Sequence, residues 1–129
     1  MTTLEDARTP APARLRKRFA ERFGNAGARP LAFASAPGRV ELAGNHTDHQ
    51  GGRTISAAID RRIYALAAPN GTDEMRVSME SFGDIALSCG DLDARESERG
   101  TSLALVRGMA AAFVRAGGRL SGFDAATCS

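Results

Sequence analysis

Apolar side chains recur at helical spacing in two stretches of the chain. Residues 13–23 place three apolar side chains on one side of a helix that ends at Gly24: Leu15, Phe19 and Phe23. Thr101 is a good helix cap, and it precedes a second periodic stretch that reaches about residue 115. In this second helix we expect four apolar side chains to face inward: Leu105, Val106, Met109 and Phe113.

Basic residues fill the remaining positions of the first helix. Four of them lie close together: Arg14, Arg16, Lys17 and Arg18. Such a run can bind phosphate, but it is more often the solvated side of an amphipathic helix. We therefore interpret these residues as a solvated helix face.

Short apolar runs elsewhere predict β-strands at residues 31–35, 40–43, 55–59, 63–68, 75–79, 85–88 and 123–128. Pro37 and Gly38 predict a turn that separates the first two strands. The strands at 55–59 and 63–68 are apolar enough to be buried. The turn signal at 69–71 predicts a hairpin between 63–68 and 75–79. Residues 91–100 form a charged loop.

The mixture of helices and strands predicts an α/β protein of the two-layer α+β type. With 129 residues there is room for one domain, preceded by a flexible lead-in at residues 1–12. Since the chain stops at Ser129, directly after the last predicted strand, we expect it to be incomplete at its C-terminus. We also expect that last strand to leave an unpaired sheet edge.

Composition excludes several classes of function. A net charge of +2, a single tyrosine and no tryptophan argue against nucleic-acid binding. No segment is apolar over the length of a membrane-spanning helix, and the N-terminus lacks the apolar core of a signal peptide. Cys89 and Cys128 are too few and too far apart for a disulfide framework, so we expect reduced thiols in a cytoplasmic protein.

One stretch, residues 36–52, concentrates most of the hydrogen-bonding chemistry. It reads APGRVELAGNHTDHQGG and contains both histidines of the protein. Its glycines let the backbone approach a ligand closely, and Asn45, His46 and Asp48 offer donors and acceptors in several directions. This combination is typical of a site for a small polyhydroxylated ligand. Arg39 adds a permanent positive charge.

Other interpretations of this stretch remain open. A polar, glycine-rich segment is also typical of a tight turn. The spacing of His46, Asp48 and His49 matches the end of a metal-ligand run, but the chain has no third histidine to complete it. We therefore expect no metal site within this chain. Neither a dinucleotide fingerprint nor a Walker phosphate loop is present.

Residues 36–52, followed by Ala57-Ala58-Ile59-Asp60, resemble the sugar-binding signature of galactokinases, which are members of the GHMP small-molecule kinase superfamily. The signature is close to A-P-G-R-V-N-L-I-G-E-H-T-D-Y-N-G-G. The segment Gly122-Phe123-Asp124 is similar to the G-G-F-D segment of that family. The resemblance implies that residues 13–129 form the N-terminal, sugar-binding part of a GHMP-kinase fold, which is similar to domain 2 of ribosomal protein S5.

The resemblance also implies roles for individual residues. Arg39 matches the arginine that stabilises the transition state, and His46 and Asp48 match residues that bind sugar hydroxyls. Asn45 and Thr47 complete the substrate-binding set, with support expected from four further positions: Glu41, His49, Gly51 and Gly52. Three of these residues depart from the signature, because Glu41 replaces asparagine, Asn45 replaces glutamate and His49 replaces tyrosine.

The implied activity is transfer of the γ-phosphoryl group of ATP, with Mg²⁺, to the anomeric hydroxyl of galactose or a related sugar, by a protein that is a monomer when complete. The phosphate loop P-x-x-x-G-L-S-S-S and the catalytic aspartate of that family are absent from the 129 residues. We therefore expect the chain alone to be inactive. The alternatives are a non-catalytic sugar-binding fragment or sensor, and an unproductive gene fragment.

Overall fold

The structure contains a mixed sheet of five strands and two α-helices, of which one precedes the first strand and the other precedes the last. The computed structural model describes residues 11–44 and 51–129. Within these residues the elements, in chain order, are α1 (Ala11–Phe23), β1 (Ala32–Ala43), β2 (Ile55–Pro69), β3 (Glu74–Met79), β4 (Gly83–Ser88), a 3₁₀ turn (Glu96–Glu98), α2 (Ser102–Arg115) and β5 (Phe123–Cys128). The two-layer α/β prediction is confirmed. No helix in the described part of the chain is long and apolar enough to cross a membrane.

The strand order, β1-β2-β5-β3-β4, places the last strand in the middle of the sheet. β5 runs antiparallel to β2 and parallel to β3, with Ala125 paired to Ala67 on one side and to Val77 on the other. The predicted hairpin between β2 and β3 is therefore wrong, because β5 lies between them. The expectation of an unpaired terminal strand is wrong for the same reason.

Two strands run longer than the sequence pattern predicts. β1 continues through Pro37 and Gly38, where its pairing with β2 shifts register instead of turning, so the predicted break is wrong. The predicted strands at 55–59 and 63–68 are one strand, β2. β5 pairs with β2 only from Tyr64 onward. Residues 36–43 and 55–63 thus form a two-stranded extension, here called the ribbon, that is mostly exposed rather than buried.

The main core lies beneath α1. Leu15 and Phe19 are 0% and 2% exposed, and they pack on the sheet against four buried side chains: Leu66, Ala68, Ala126 and Cys128. Phe23 completes the apolar side and lies 5.3 Å from Phe19 between ring centroids. The apolar stripe predicted for the first helix is therefore the one that the helix buries.

The basic residues of α1 do not all face solvent. Arg14 donates to Glu80 at 2.7 Å, and Arg18 donates to the hydroxyl of Ser78 at 3.1 Å. Ser78 is fully buried, and its hydroxyl accepts from Arg18 while it donates to Asp84 at 2.7 Å. The interpretation of a wholly solvated face is wrong for these two arginines, whereas Arg16 and Lys17 are exposed.

α2 uses a different side from the one predicted. Its N-cap is Thr101, as predicted, whose side chain accepts from the backbone N–H of Ala104. Three of the four side chains expected inside are exposed: Leu105, Met109 and Phe113. Val106 instead joins Leu103 and Ala110 against the buried Met75 and Leu87 in a second, smaller core cluster. The helix is thus rotated so that its bulkiest apolar residues point away from the sheet.

Candidate functional site

The first part of the polar stretch, residues 36–43, lies in β1 and forms one strand of the ribbon. Arg39 pairs across the ladder with Ala58, and Glu41 pairs with Ser56. Residues two apart on a strand, and residues directly opposite on its neighbour, share one face of the sheet. The structure therefore places Arg39 and Glu41 side by side, with the Ser56 hydroxyl on the same face. The sequence analysis did not identify Ser56 as part of this patch.

The centre of the predicted site lies in the connection between β1 and β2. Five predicted residues lie outside the described residues: Asn45, His46, Thr47, Asp48 and His49. Gly51 and Gly52, predicted as supporting residues, are described and exposed, and Gly51 adopts a φ of 76°. Their roles, like those of the five residues before them, stay predictions.

Two glycines hold the ribbon at close approach on either side of Arg39 and Glu41. A Cβ at Gly38 would lie 3.1 Å from Cδ1 of Ile59. A Cβ at Gly44 would lie only 2.7 Å from the Cα of Thr54, and the φ of Gly44, +120°, also disfavours any side chain. Glycine is thus required at position 44 by its close approach to Thr54, independently of any ligand, whereas a side chain at position 38 would require the side chain of Ile59 to move.

A carboxylate at the start of β5 anchors the opposite end of the sheet. Asp124 is 1% exposed and accepts hydrogen bonds from three elements: Arg29 (2.9 Å), Asn70 (3.1 Å) and Arg76 (2.7 Å). Burial opposes ionisation of Asp124, but these donors outweigh it and lower its pKa below the ordinary value. The sequence signal for this anchor was a lone acidic residue inside an apolar strand.

A second ionic cluster ties α2 to the loop before it. Arg107 is 4% exposed and donates two hydrogen bonds of 2.7 Å to the carboxylate of Glu98. The hydrogen bonds from Arg107 lower the pKa of Glu98 despite its burial. Arg107 also donates to the backbone carbonyl of Asp91. The predicted charged loop is thus an ordered element whose charges are partly buried.

The end of β5 is held by α1. The backbone N–H of Ser129 donates to Glu80 at 3.1 Å, and Arg14 donates to the carbonyl of Ser129 at 3.3 Å. Burial raises the pKa of Glu80, but the Ser129 N–H and Arg14 lower it further than burial raises it. The Arg14–Glu80 pair therefore binds the backbone of Ser129, which follows the last residue of β5.

An apolar groove of about 360 Å³ opens beside the end of β5. Its walls come from β2, β3 and the first turn of α2, and its apolar lining includes Ile63, Met79, Phe82, Leu105 and Val106. The groove does not contain Cys89, and Cys128 contributes only as a buried thiol whose pKa is raised by burial.

The described residues do not form a metal centre. Within 11–44 and 51–129 there is no group of three His, Cys, Asp or Glu side chains placed to hold a metal ion. Asp124 and Glu98, the two most buried carboxylates, are already bonded to arginines. We therefore assign no described residue to Mg²⁺.

Known proteins share this signature and this fold. Residues 17–69 match the family model of the galactokinase galactose-binding signature. The galactokinase of Roseiflexus sp. RS-1 is 34% identical over 110 residues, which is 85% of this chain and 27% of that protein. The galactokinase of Lacticaseibacillus casei is 34% identical over 101 residues, covering 78% of this chain and 25% of the relative.

Solved structures extend the likeness to three dimensions. The galactokinase of Lactococcus lactis, crystallised in complex with galactose, superposes with a TM-score of 0.72 at 27% identity, covering 87% of this chain and 29% of that one. The mevalonate kinase of Methanococcus jannaschii superposes with a TM-score of 0.57 at 18% identity over 80% of this chain and 33% of its own, which supports the fold alone.

These likenesses confirm the resemblance to galactokinases and the predicted GHMP-kinase fold. The chain spans about a quarter of the length of the curated relatives described above. The matched residues 17–69 contain α1 from its second turn, all of β1 and all of β2. The residues that match the galactose-binding signature therefore include both strands of the ribbon.

Proposed function

We propose that this chain is the sugar-binding N-terminal part of a galactokinase-like sugar kinase. The proposed ligand is galactose or a closely related sugar, and the proposed reaction is phosphorylation of its anomeric hydroxyl by ATP. One observation carries the proposal. The residues that match the galactose-binding signature build the ribbon, which presents Arg39 and Glu41 together on one face.

Each proposed contact follows from the chemistry of its side chain. Asn45 and His46 would each donate to and accept from sugar hydroxyls, Asp48 would accept, and Thr47 would add a hydroxyl. Arg39, exposed on the ribbon, would stabilise negative charge on the phosphoryl group during transfer.

The phosphoryl donor we propose is ATP, as the resemblance implies, with its main binding motifs outside these 129 residues. Mg²⁺ would neutralise charge on the phosphates in such a reaction. The described residues offer no metal centre, so we propose no metal-binding role for any of them.

The proposed setting is the cytoplasm, where ATP is available. Both cysteines are free thiols in the structure, and burial raises the pKa of each, which makes them unreactive. We also propose that the chain binds sugar without nucleic acid or membrane partners. The alternative of a non-catalytic sugar-binding fragment differs only in turnover, which the following experiment measures.

The proposal is tested by titrating galactose into the 129-residue chain while recording backbone NMR spectra. We expect saturable shifts with a dissociation constant of about 1 mM. The variant Asp48→Ala should weaken galactose binding about tenfold, because it removes one charged hydrogen-bond acceptor. Glu96→Gln is the matched control, since Glu96 is an exposed carboxylate paired with the exposed Arg99.

The outcomes separate the candidate functions. Galactose binding that Asp48→Ala weakens and Glu96→Gln leaves unchanged supports the proposed site. An absence of galactose binding by the folded chain, or equal binding by Asp48→Ala, overturns it. Incubation with ATP, Mg²⁺ and galactose is expected to yield no sugar phosphate above background, because the chain lacks the phosphate loop and base that the resemblance implies.

A further inference from the structure

The half of the ribbon that carries Arg39 and Glu41 extends beyond the rest of the sheet. β1 and β2 pair from Ala32 to Ala43, whereas β5 accompanies β2 only along Tyr64–Pro69. Within the described residues this part of the ribbon has no third strand beside it. Arg39, Ser56 and Ala58 are exposed in this part of the ribbon, so a ligand can reach their side chains.

The ladder register defines one polar patch on the ribbon. Between two register shifts, Arg39 lies opposite Ala58 and Glu41 lies opposite Ser56. These four residues share a face, so a guanidinium, a carboxylate and a hydroxyl surround a single methyl group. Ala58 leaves the space between the longer side chains unfilled. Val40 and Ala57 point to the opposite face.

Burial on the ribbon runs against the usual preference of side chains. Val40 and Leu42 are 44% and 65% exposed, whereas Glu41 between them is only partly exposed. Glutamate is ordinarily among the most exposed residues, and valine and leucine among the most buried. Glu41 is therefore less exposed than the apolar residues on either side of it.

The backbone around the patch is fixed on both sides. A Cβ at Gly38, before Arg39, would press on the side chain of Ile59, and a Cβ at Gly44, after Glu41, would meet the backbone of Thr54. A side chain at Gly44 would therefore displace the backbone of one strand from that of the other. Arg39 and Glu41 consequently project from a backbone of defined geometry, as side chains that recognise a ligand must.

We infer that Glu41 is a specificity-determining residue that binds a hydroxyl of the sugar. The inference rests on the proposed function. A carboxylate accepts hydrogen bonds only and a guanidinium donates them only, so the adjacent pair complements two neighbouring hydroxyls in opposite hydrogen-bonding roles. The Ser56 hydroxyl can serve either role. The ligand class is accordingly a pyranose with vicinal free hydroxyl groups.

The inference is tested by pairing variants of the chain with sugars that lack single hydroxyls. Galactose and its 2-, 3-, 4- and 6-deoxy analogues are titrated against the wild-type chain, Glu41→Gln and the control Glu96→Gln, using NMR shifts. We expect Glu41→Gln to weaken galactose binding about tenfold. For one deoxy analogue, the one that lacks the hydroxyl bound by Glu41, wild type and Glu41→Gln should bind equally.

Each result has a defined meaning. If Glu41→Gln binds galactose as the wild type does while Asp48→Ala binds it more weakly, this inference is overturned and the proposed function stands. If Glu41→Gln weakens every sugar by the same factor, Glu41 acts on the fold and not on a hydroxyl, which also overturns the inference. If the folded wild-type chain binds none of the sugars, the proposed function and the inference fail together.

Discussion

Both helices carry an apolar stripe at helical spacing, but only the stripe of α1 packs against the sheet. In α1 the stripe is inside, with Leu15 and Phe19 at 0% and 2% exposure. In α2 the corresponding stripe is outside, with Met109 and Phe113 at 73% and 52% exposure. Helical spacing thus identified an apolar face in both helices, but it could not identify what covers that face.

Charged side chains explain the rotation of α2. Arg107, on the side of α2 that faces the protein, makes a double hydrogen bond to Glu98 and a further bond to the chain at Asp91. The small residue Ala110 then packs beside Met75 and Leu87. In α1 the apolar side chain of Phe19 faces the sheet, and Arg14 and Arg18 reach Glu80 and Ser78 from beside the apolar stripe. A buried arginine can therefore decide which face of a helix is inside.

The largest expected difference between the two helices is in the loss of stability when one phenylalanine is removed from each. Phe19→Ala should lower the free energy of unfolding by about 4 kcal/mol, because it leaves a cavity in the main core. Phe113→Ala, the matched change in α2, should alter it by less than about 1 kcal/mol, because half of that side chain is exposed. Urea denaturation followed by circular dichroism measures both values.

Similar losses for the two variants would contradict this contrast. They would mean that the stripe of α2 is covered in solution, for example by a second copy of the chain. Repeating the denaturation at several protein concentrations distinguishes that case, since a stability that depends on association rises with concentration.

Substitution of Asp124 should give the next largest loss of stability, and the size of that loss should depend on pH. The pKa of Asp124 is lowered in the folded protein, so its contribution to stability is fully present above its ordinary value, near 3.9, and is lost as the pH falls toward the folded pKa. Asp124→Asn should cost about 3 kcal/mol at pH 7, because Arg29 and Arg76 lose their shared anion.

The measurement is the midpoint of urea unfolding between pH 7 and pH 3. The difference between wild type and Asp124→Asn should shrink below about pH 4, because the unfolded wild-type chain then binds a proton at Asp124 that the folded chain does not yet bind. Asp60→Asn serves as the control, since Asp60 is exposed on the ribbon. A difference that stays constant over this range would show that Asp124 acts through its shape and not through its charge.

Local patterns predicted the elements well and their partners poorly. The helix beginning after Thr101 and the strand at Phe123–Cys128 were predicted close to their observed bounds, because caps and apolar runs act over a few residues. The insertion of β5 between β2 and β3 was missed, because strand order is decided by contacts between residues far apart in sequence.

The candidate site shows the same division. Spacing and resemblance identified Arg39 and Glu41, but only the register of β1 on β2 adds Ser56 to their face. Pro37 and Gly38 suggested a turn because that dipeptide usually forms one, whereas the paired strand accommodates both at a register shift. Such outcomes depend on the neighbouring strand, which no local pattern describes.

The smallest expected effect on stability comes from the exposed stripe of α2, where Met109→Lys should change the free energy of unfolding by less than about 0.5 kcal/mol. Its effect should appear instead in self-association, because Met109 and Phe113 form part of an exposed apolar surface. Sedimentation velocity over a range of concentrations should show less association for Met109→Lys than for the wild type. Ala28→Lys, which adds the same charge at an exposed position after α1, should leave association unchanged. Equal association of all three proteins would mean that the stripe of α2, although exposed, is not the surface through which the chain contacts itself.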